Sequence, residues 1–302
     1  GALVIVAFTM MAAYYVNDVV APLKTMLETD LAWSSTDFGF FTGGYSFLNV
    51  FFLMLIWGGL ILDRFGIRFT GKLATILMVG GTALEYYAMT GLAGADATLF
   101  GINEIFGYKT GVFVAFAGYS IFGVGAEVAG ITVSKIIAKW FKGKELATAM
   151  GVQVALARIG SQAGYAVAIP LARAFGISTP VLLGLVLLLG GMIAFFIFAV
   201  MDKKLDKQME AAAIAAGTED EEEKFSFKDV KNILVNPGFW LIALLCVLFY
   251  SCVFPFQKFA SELMIIKYGI NENVAGTFAG LPALGALILT PVFGGFIDKR
   301  GK

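Results

Sequence analysis

The chain has 302 residues, 59% hydrophobic and 15% charged, with 22 basic and 22 acidic side chains and no histidine. So much apolar surface exceeds what a soluble fold of this length can hide, and a net charge of zero excludes the basic field that nucleic-acid binding needs. Without histidine there are no histidine metal sites or histidine proton relays; Cys246 and Cys252 fall in one predicted helix, whose geometry does not suit a mutual disulfide.

A bilayer core takes about 20 apolar residues per helical span. Windows of that size predict eight spans, at 1–23, 36–62, 70–92, 111–138, 146–170, 178–201, 238–266 and 272–297. They lack the short alternating strands of a transmembrane barrel, so the predicted class is all-α and polytopic. The first span is full length and carries Asn17 and Asp18, unlike a cleavable signal peptide. The chain starts inside that span without Met or a polar leader, as expected of a piece of a longer protein.

Basic residues alternate between the connections. Arg64, Arg68 and Lys72 follow span two, Lys139, Lys142 and Lys144 follow span four, and Lys299, Arg300 and Lys302 follow span eight. The other connections carry fewer, with Lys24, Lys109 and Arg173. The positive-inside rule then puts the even-to-odd connections and the N-terminus on the cytoplasmic side. Residues 202–232 are too polar to cross a bilayer and include the acidic block Glu219–Glu223; they read as a solvated cytoplasmic linker, partly helical at its alanines, with a regulatory acidic segment as the alternative. The predicted organisation is a six-helix bundle at 1–201, the linker at 202–232, and the first two helices of a second bundle at 233–302.

A shift of 235 residues lays Gly59 and Asp63 on Gly294 and Asp298, and the polar N-cap candidates Thr36 and Asn271 on each other. Internal duplication of this kind builds transporters in which two halves enclose a midplane site. Each copy places a glycine four residues before an aspartate at a helix end. The glycine is expected to admit a neighbouring helix, and the aspartate to meet that helix's positive N-terminus. Basic residues follow at the headgroups, and Gly66 is expected to end its helix in a left-handed turn. A plain tight turn is the alternative.

Gly59-Leu-Ile-Leu-Asp63-Arg64-Phe-Gly66-Ile-Arg68 resembles the loop signature of the major facilitator superfamily, and Gly294-Gly-Phe-Ile-Asp298-Lys299-Arg300-Gly-Lys resembles its second copy. The resemblance covers the whole chain. It implies a twelve-helix, alternating-access carrier whose last four helices lie beyond Lys302, with Gly59, Asp63, Arg64, Gly66, Arg68, Gly294, Asp298, Lys299 and Arg300 forming a conformational latch. WFKGKEL at 140–146, ARIGS at 157–161, Asn236-Pro-Gly-Phe-Trp240, Val253-Phe-Pro-Phe256 and Pro291-Val-Phe-Gly294 are similar to the branch that contains lysosomal dipeptide carriers. Two departures count against drug/proton antiport: Gly118-Tyr119 stands where an arginine is common in helix four, and GVQVALARIGSQAG in helix five has no proline.

A charge at the bilayer midplane costs about 2.5–3.5 kcal/mol on insertion scales and so needs a partner or a purpose. Glu127 lies mid-span four, flanked by Gly123 and Gly130, which leave open backbone beside it. Arg158 heads a polar stripe on span five with Ser161, Gln162 and Tyr165, at helical spacing. Glu127 and Arg158 are candidate poles of a zwitterion site, ammonium on the carboxylate and carboxylate on the guanidinium fork. A structural ion pair between the two helices is the competing reading. The resemblance favours the first, because WFKGKEL and ARIGS set both residues in register with the branch's acidic and basic pocket positions.

Further substrate-binding candidates are Asp18 near Tyr14 and Tyr15, Tyr45 and Asn49 on one face of span two, and Tyr250 and Lys258 at four-residue spacing with Phe254. Glu85 is a candidate proton carrier or a buried neutral carboxyl, and Lys135 is expected to snorkel to the cytoplasmic interface. The leading reading is a monomeric carrier of small zwitterions such as dipeptides or amino acids. The alternatives are a proton-coupled symporter of organic anions or sugars, and a non-transporting sensor or scaffold. An enzyme would need a nucleophile–base pair, a metal set or a nucleotide motif, none of which is evident, and no cofactor is expected. The expected partners are a solute and the bilayer, with an accessory subunit left open. The expected location is a cell membrane, the bacterial inner membrane in a prokaryote or the lysosomal membrane in a eukaryote.

Overall fold

The computed structural model describes residues 2–94, 97–141, 146–216 and 233–300. Helix α1 (Ala2–Val19) leads through a 3-10 turn (Ala21–Leu23) into α2 (Lys24–Asp30); α3 (Ser35–Phe51) and α4 (Met54–Thr90) follow. A two-residue hairpin, β1 (Glu104–Ile105) with β2 (Tyr108–Lys109), precedes α5 (Thr110–Trp140), α6 (Leu146–Phe175) and α7 (Thr179–Ala216). Beyond 232 come α8 (Pro237–Tyr268), α9 (Glu272–Ala279) and α10 (Leu281–Arg300).

Among the described residues, five helices are long and apolar enough to cross a membrane, and a sixth span arises if α3 and α4 are counted as one. That pair bends by 58° where 36–62 was predicted to be continuous. The break lies at Leu53, whose φ of 52° is costly for a residue with a Cβ, and no glycine or proline announces it. Gly66 separates predicted spans two and three: its φ of 76° is positive as expected, but its ψ of 173° is extended, a region open to glycine rather than a left-handed helical turn. The N-cap of α3 is Ser34, not Thr36, and forms a reciprocal capping box with Asp37; Asn271 caps α9 as predicted. The fifth predicted span, α6, is 30 residues long yet outside the spanning set, since Gln153, Arg158 and Gln162 dilute its apolar character.

Helix pairing follows small residues. Helix α4 runs along α5, and α1 lies against α6 and α7. At the α4–α5 crossing a Cβ on Gly118 would stand 2.6 Å from the Gly81 carbonyl oxygen, so the two backbones touch directly. Near the loop signature the contacting glycine is Gly58, where a Cβ would come within 2.5 Å of Val128 Cγ2; Gly59, expected in that role, faces open space. The main buried cluster includes Phe38, Phe41, Met78, Tyr119 and Phe122, and a smaller one joins Ala21 and Tyr165 to Ala260 and Ala279.

The two copies of the loop signature differ in what can be described. Asp63 pairs with Lys135 of α5 at 2.9 Å, both side chains half-exposed. Arg64 lies over the Phe65 ring. In the second copy Arg300 lies over the Phe296 ring, while the surroundings of Gly294, Asp298 and Lys299 lie outside what is described.

The predicted linker begins inside α7, which continues to Ala216, and its remainder from 217 lies outside the described residues. Its first residue, Asp202, is not solvated but fully buried. It accepts from Lys139 Nζ at 2.9 Å and from Trp140 Nε1 at 3.0 Å. Asp206, one turn on, takes Arg68 at 2.7 Å. This cluster fastens α4, α5 and α7 together.

Gly118→Leu should force α4 and α5 apart and cost about 1–3 kcal/mol or more, while Gly59→Leu should melt like the parent; thermal unfolding in detergent compares them. Asp202→Ala should destabilise by about 3 kcal/mol, because it strips a buried carboxylate acceptor from two donors. Asp206→Asn, at a half-exposed pair, should cost less than about 1 kcal/mol by the same assay.

Candidate functional site

A cavity of about 520 Å³ opens between α1, α3, α5 and α8. Helix α1 supplies Met10, Ala13, Tyr14, Asn17 and Asp18, a stripe at i, i+3, i+4, i+7 and i+8 that forms one helical face. Helix α3 adds Thr42, Tyr45 and Ser46, and α5 adds Glu127 and Gly130. Arg158 reaches in from α6, and Tyr250, Phe254, Gln257, Lys258 and Phe259 come from α8.

Glycine lets these helices meet at the right depth. Gly123 is not open backbone as predicted: a Cβ there would overlap the Tyr45 carbonyl, so α3 is pressed against α5 one turn before Glu127. Gly130, one turn after it, has only Met10 Cε at 4.0 Å and leaves free space on the cavity wall. The closeness of α3 brings Tyr45 Oη to 2.8 Å from Glu127 Oε1, where it donates to the carboxylate and orients it.

Arg158 lies with its guanidinium 5.1 Å from the Tyr14 ring centroid, and its buried Nε has no hydrogen-bond partner. Among the described ion pairs none joins Glu127 to Arg158. The acid and the base therefore face one cavity without neutralising each other.

A second polar group surrounds Asn17. Lys258 Nζ donates to the Asn17 carbonyl oxygen at 2.6 Å and to Tyr119 Oη at 3.1 Å, and Tyr119 Oη donates to the same carbonyl at 2.8 Å. Asn17 Nδ2 donates to Asp18 Oδ1 at 2.9 Å, and Asp18 is largely buried. Asn17 thus links α1 and α5 to a cation from α8. The sequence reading did not single it out, though its place on the α1 stripe marks it. Gln257 and Ser46, also on the cavity, were likewise missed.

Of the predicted substrate residues, Glu127, Arg158, Tyr45, Asp18, Tyr250 and Lys258 come together here, and three do not. Asn49 turns its amide back to the Tyr45 carbonyl at 3.2 Å. Gln162 packs where Gly280 approaches, and Tyr165 Oη donates to the Gln257 carbonyl at 3.3 Å, so both lie at the contact of α6 with α8–α10. The stripe on α6 points two ways: Arg158 to the cavity, and its later members to the neighbouring helices. Glu85 is fully buried in α4, off the cavity, and neither carboxylate oxygen has a hydrogen-bond partner.

The family model described as Major Facilitator Superfamily matches residues 3–302. The chain is 27% identical to the human lysosomal dipeptide transporter MFSD1 over 314 residues, which cover 99% of this chain and 61% of that protein. It is 32% identical over 198 residues to the Gallus gallus protein of that name, covering 61% of this chain and 42% of the relative. It therefore spans about three-fifths of the length of the curated relatives it matches end to end. Among solved structures, the crystal structure of a D-xylose-proton symporter shares the fold, with a TM-score of 0.59 and 15% identity over 98% of this chain and 68% of that one. With its duplicated loop signature and a cavity between bundled membrane helices, the chain belongs to the major facilitator superfamily.

Proposed function

We propose that the protein is an alternating-access carrier of small zwitterionic solutes, with dipeptides and amino acids as the substrate class. Its first half is the bundle α1–α7, and its second begins with α8–α10. The observation that carries this reading is the pairing of Glu127 and Arg158 across one cavity without an ion pair between them. An ammonium group binds at Glu127, beside the Tyr45 hydroxyl. A carboxylate takes the guanidinium fork of Arg158, including the Nε that otherwise has no acceptor. The rings of Tyr14, Phe254 and Tyr250 offer apolar wall to the atoms between the charged ends. The likeness to lysosomal dipeptide transporters supports the same substrate class.

A second reading, a proton-coupled symporter of sugars or organic anions, draws on two observations: Glu85 is a buried carboxyl without a partner, and the fold is shared with a D-xylose-proton symporter. In that case Glu85 carries the proton, and the cavity polar groups at Asn17 and Gln257 bind the solute.

Glu127→Gln and Arg158→Ala should each weaken dipeptide binding by about 10- to 100-fold, the worth of one charge-assisted contact, and abolish the rise in melting temperature on adding dipeptide. Unchanged thermal stabilisation in both variants would sink the zwitterion site. Uptake into liposomes should proceed without a pH gradient. A flux that collapses when the gradient is removed, in the parent but not in Glu85→Gln, would favour the symporter.

A further inference from the structure

Between α4 and α5 the chain makes two tight reversals in succession. Leu99 and Ile102 exchange backbone hydrogen bonds at 3.1 Å around Phe100-Gly101, and Ile105 pairs with Tyr108 around Phe106-Gly107. All four central residues have positive φ, 55° and 80° in the first turn and 53° and 81° in the second, the pattern of a type I′ turn. Such turns favour Asn-Gly, because a bulky side chain is strained at positive φ. Phenylalanine nevertheless stands at both tips, with rings 95% and 88% exposed.

Packing within the chain does not account for these rings. Phe100 is almost wholly bare, and Phe106 meets only the Phe113 ring, with centroids 6.0 Å apart. The bases of the two turns, by contrast, are tied down. Thr110, the first residue of α5, donates its hydroxyl to the Ile102 carbonyl at 2.7 Å and its amide to the Asn103 carbonyl at 2.9 Å. Tyr108 stacks on Phe40 of α3 at 3.8 Å, and the Lys109 ammonium donates to the Ala32 carbonyl. Strained, apolar tips on a fixed base point to a contact outside the chain.

The setting of the tips identifies what they touch. Their base is fastened to the first residue of a membrane-spanning helix, which keeps them near the headgroup level. Neither turn contains a charge; Glu104 and Lys109 pair at the open end of the second one, away from its tip. From Phe106 the rings of Phe113, Phe116 and Phe47 follow at 6.0, 6.2 and 5.2 Å, carrying the aromatic surface onto α5 and α3. Aromatic rings at this height lie where acyl chains give way to headgroups.

We infer that residues 97–109 form a lipid anchor, in which Phe100 and Phe106 seat their rings among the acyl chains of the adjoining leaflet. The anchor holds this end of α3 and α5 at a fixed depth. It concerns the bilayer rather than the solute, and so stands apart from the substrate class proposed above.

The test places p-benzoylphenylalanine, a photoreactive analogue of phenylalanine, at Phe100 or Phe106 of the full-length protein. The samples are reconstituted in vesicles of phosphatidylethanolamine and phosphatidylglycerol, irradiated, and read by intact mass and by mapping of cross-linked peptides. Both tip positions should gain phospholipid adducts at least about fivefold above the same analogue at the exposed Glu104 between them. A second measurement keeps the turns and removes the rings. With the analogue at the half-exposed Ile102, Phe100→Asn together with Phe106→Asn should lower its lipid adduct about fivefold, since Asn-Gly preserves a type I′ turn. Because the tips are exposed, each variant should melt like the parent. Tip adducts on another part of this chain or on a second copy, no lipid adduct at either tip, or equal yield at Glu104 would each overturn the anchor. So would an Ile102 yield that survives loss of both rings.

Discussion

Charges carried on apolar helices govern this structure, because each must find a partner, a cation–π surface or water before the helix can be buried in lipid. The described charges sort themselves accordingly. Asp202 is buried and answered by Lys139 and Trp140; Lys24 is buried and answered by three oxygens. Asp63 and Lys135 answer each other at half-exposed positions. Asp18, Glu127, Arg158 and Lys258 all face one cavity, while Glu85 is buried off it with neither carboxylate oxygen partnered.

Close backbone contact makes this arrangement possible. Where Gly81 meets Gly118, and where Gly123 meets the Tyr45 carbonyl, helices approach without side chains between them. Such contacts are held by van der Waals packing, since lipid tails provide no hydrophobic incentive for two apolar helices to associate. They also fix the depth at which polar groups face one another. Tyr45 reaches Glu127 because α3 sits hard against α5, a relation set by the absence of a Cβ some distance from either polar atom.

Much of this was legible in the sequence. Apolar runs of span length gave the helical class, the 235-residue offset between Asp63 and Asp298 gave the duplication, and rare midspan charges pointed to Glu127 and Arg158. Other features lacked a one-dimensional signal. The bend at Leu53 occurs without glycine or proline, so tertiary packing has overridden a residue preference. Gly58 and Gly59 are adjacent and identical, and only the rotation of the helix decides which meets Val128. The α6 stripe is correct as a periodicity, but Gln162 and Tyr165 meet α8–α10, a surface that helical spacing on one element cannot reveal. Asp202 reads as the first residue of a solvated linker because its partners, Lys139 and Trp140, lie more than 60 residues earlier.

The inventory of the cavity has an electrical consequence. Among the described residues, Asp18 and Glu127 carry two formal negative charges and Arg158 and Lys258 two positive ones, so this part of the lining sums to zero. A zwitterion adds equal and opposite charge and leaves that sum unchanged. Displacing a net charge through the membrane field costs or yields about 2.3 kcal/mol per 100 mV, but a neutral cavity offers the field nothing to act upon. On the proposed reading, a bound zwitterion therefore leaves the net charge of these lining residues unchanged.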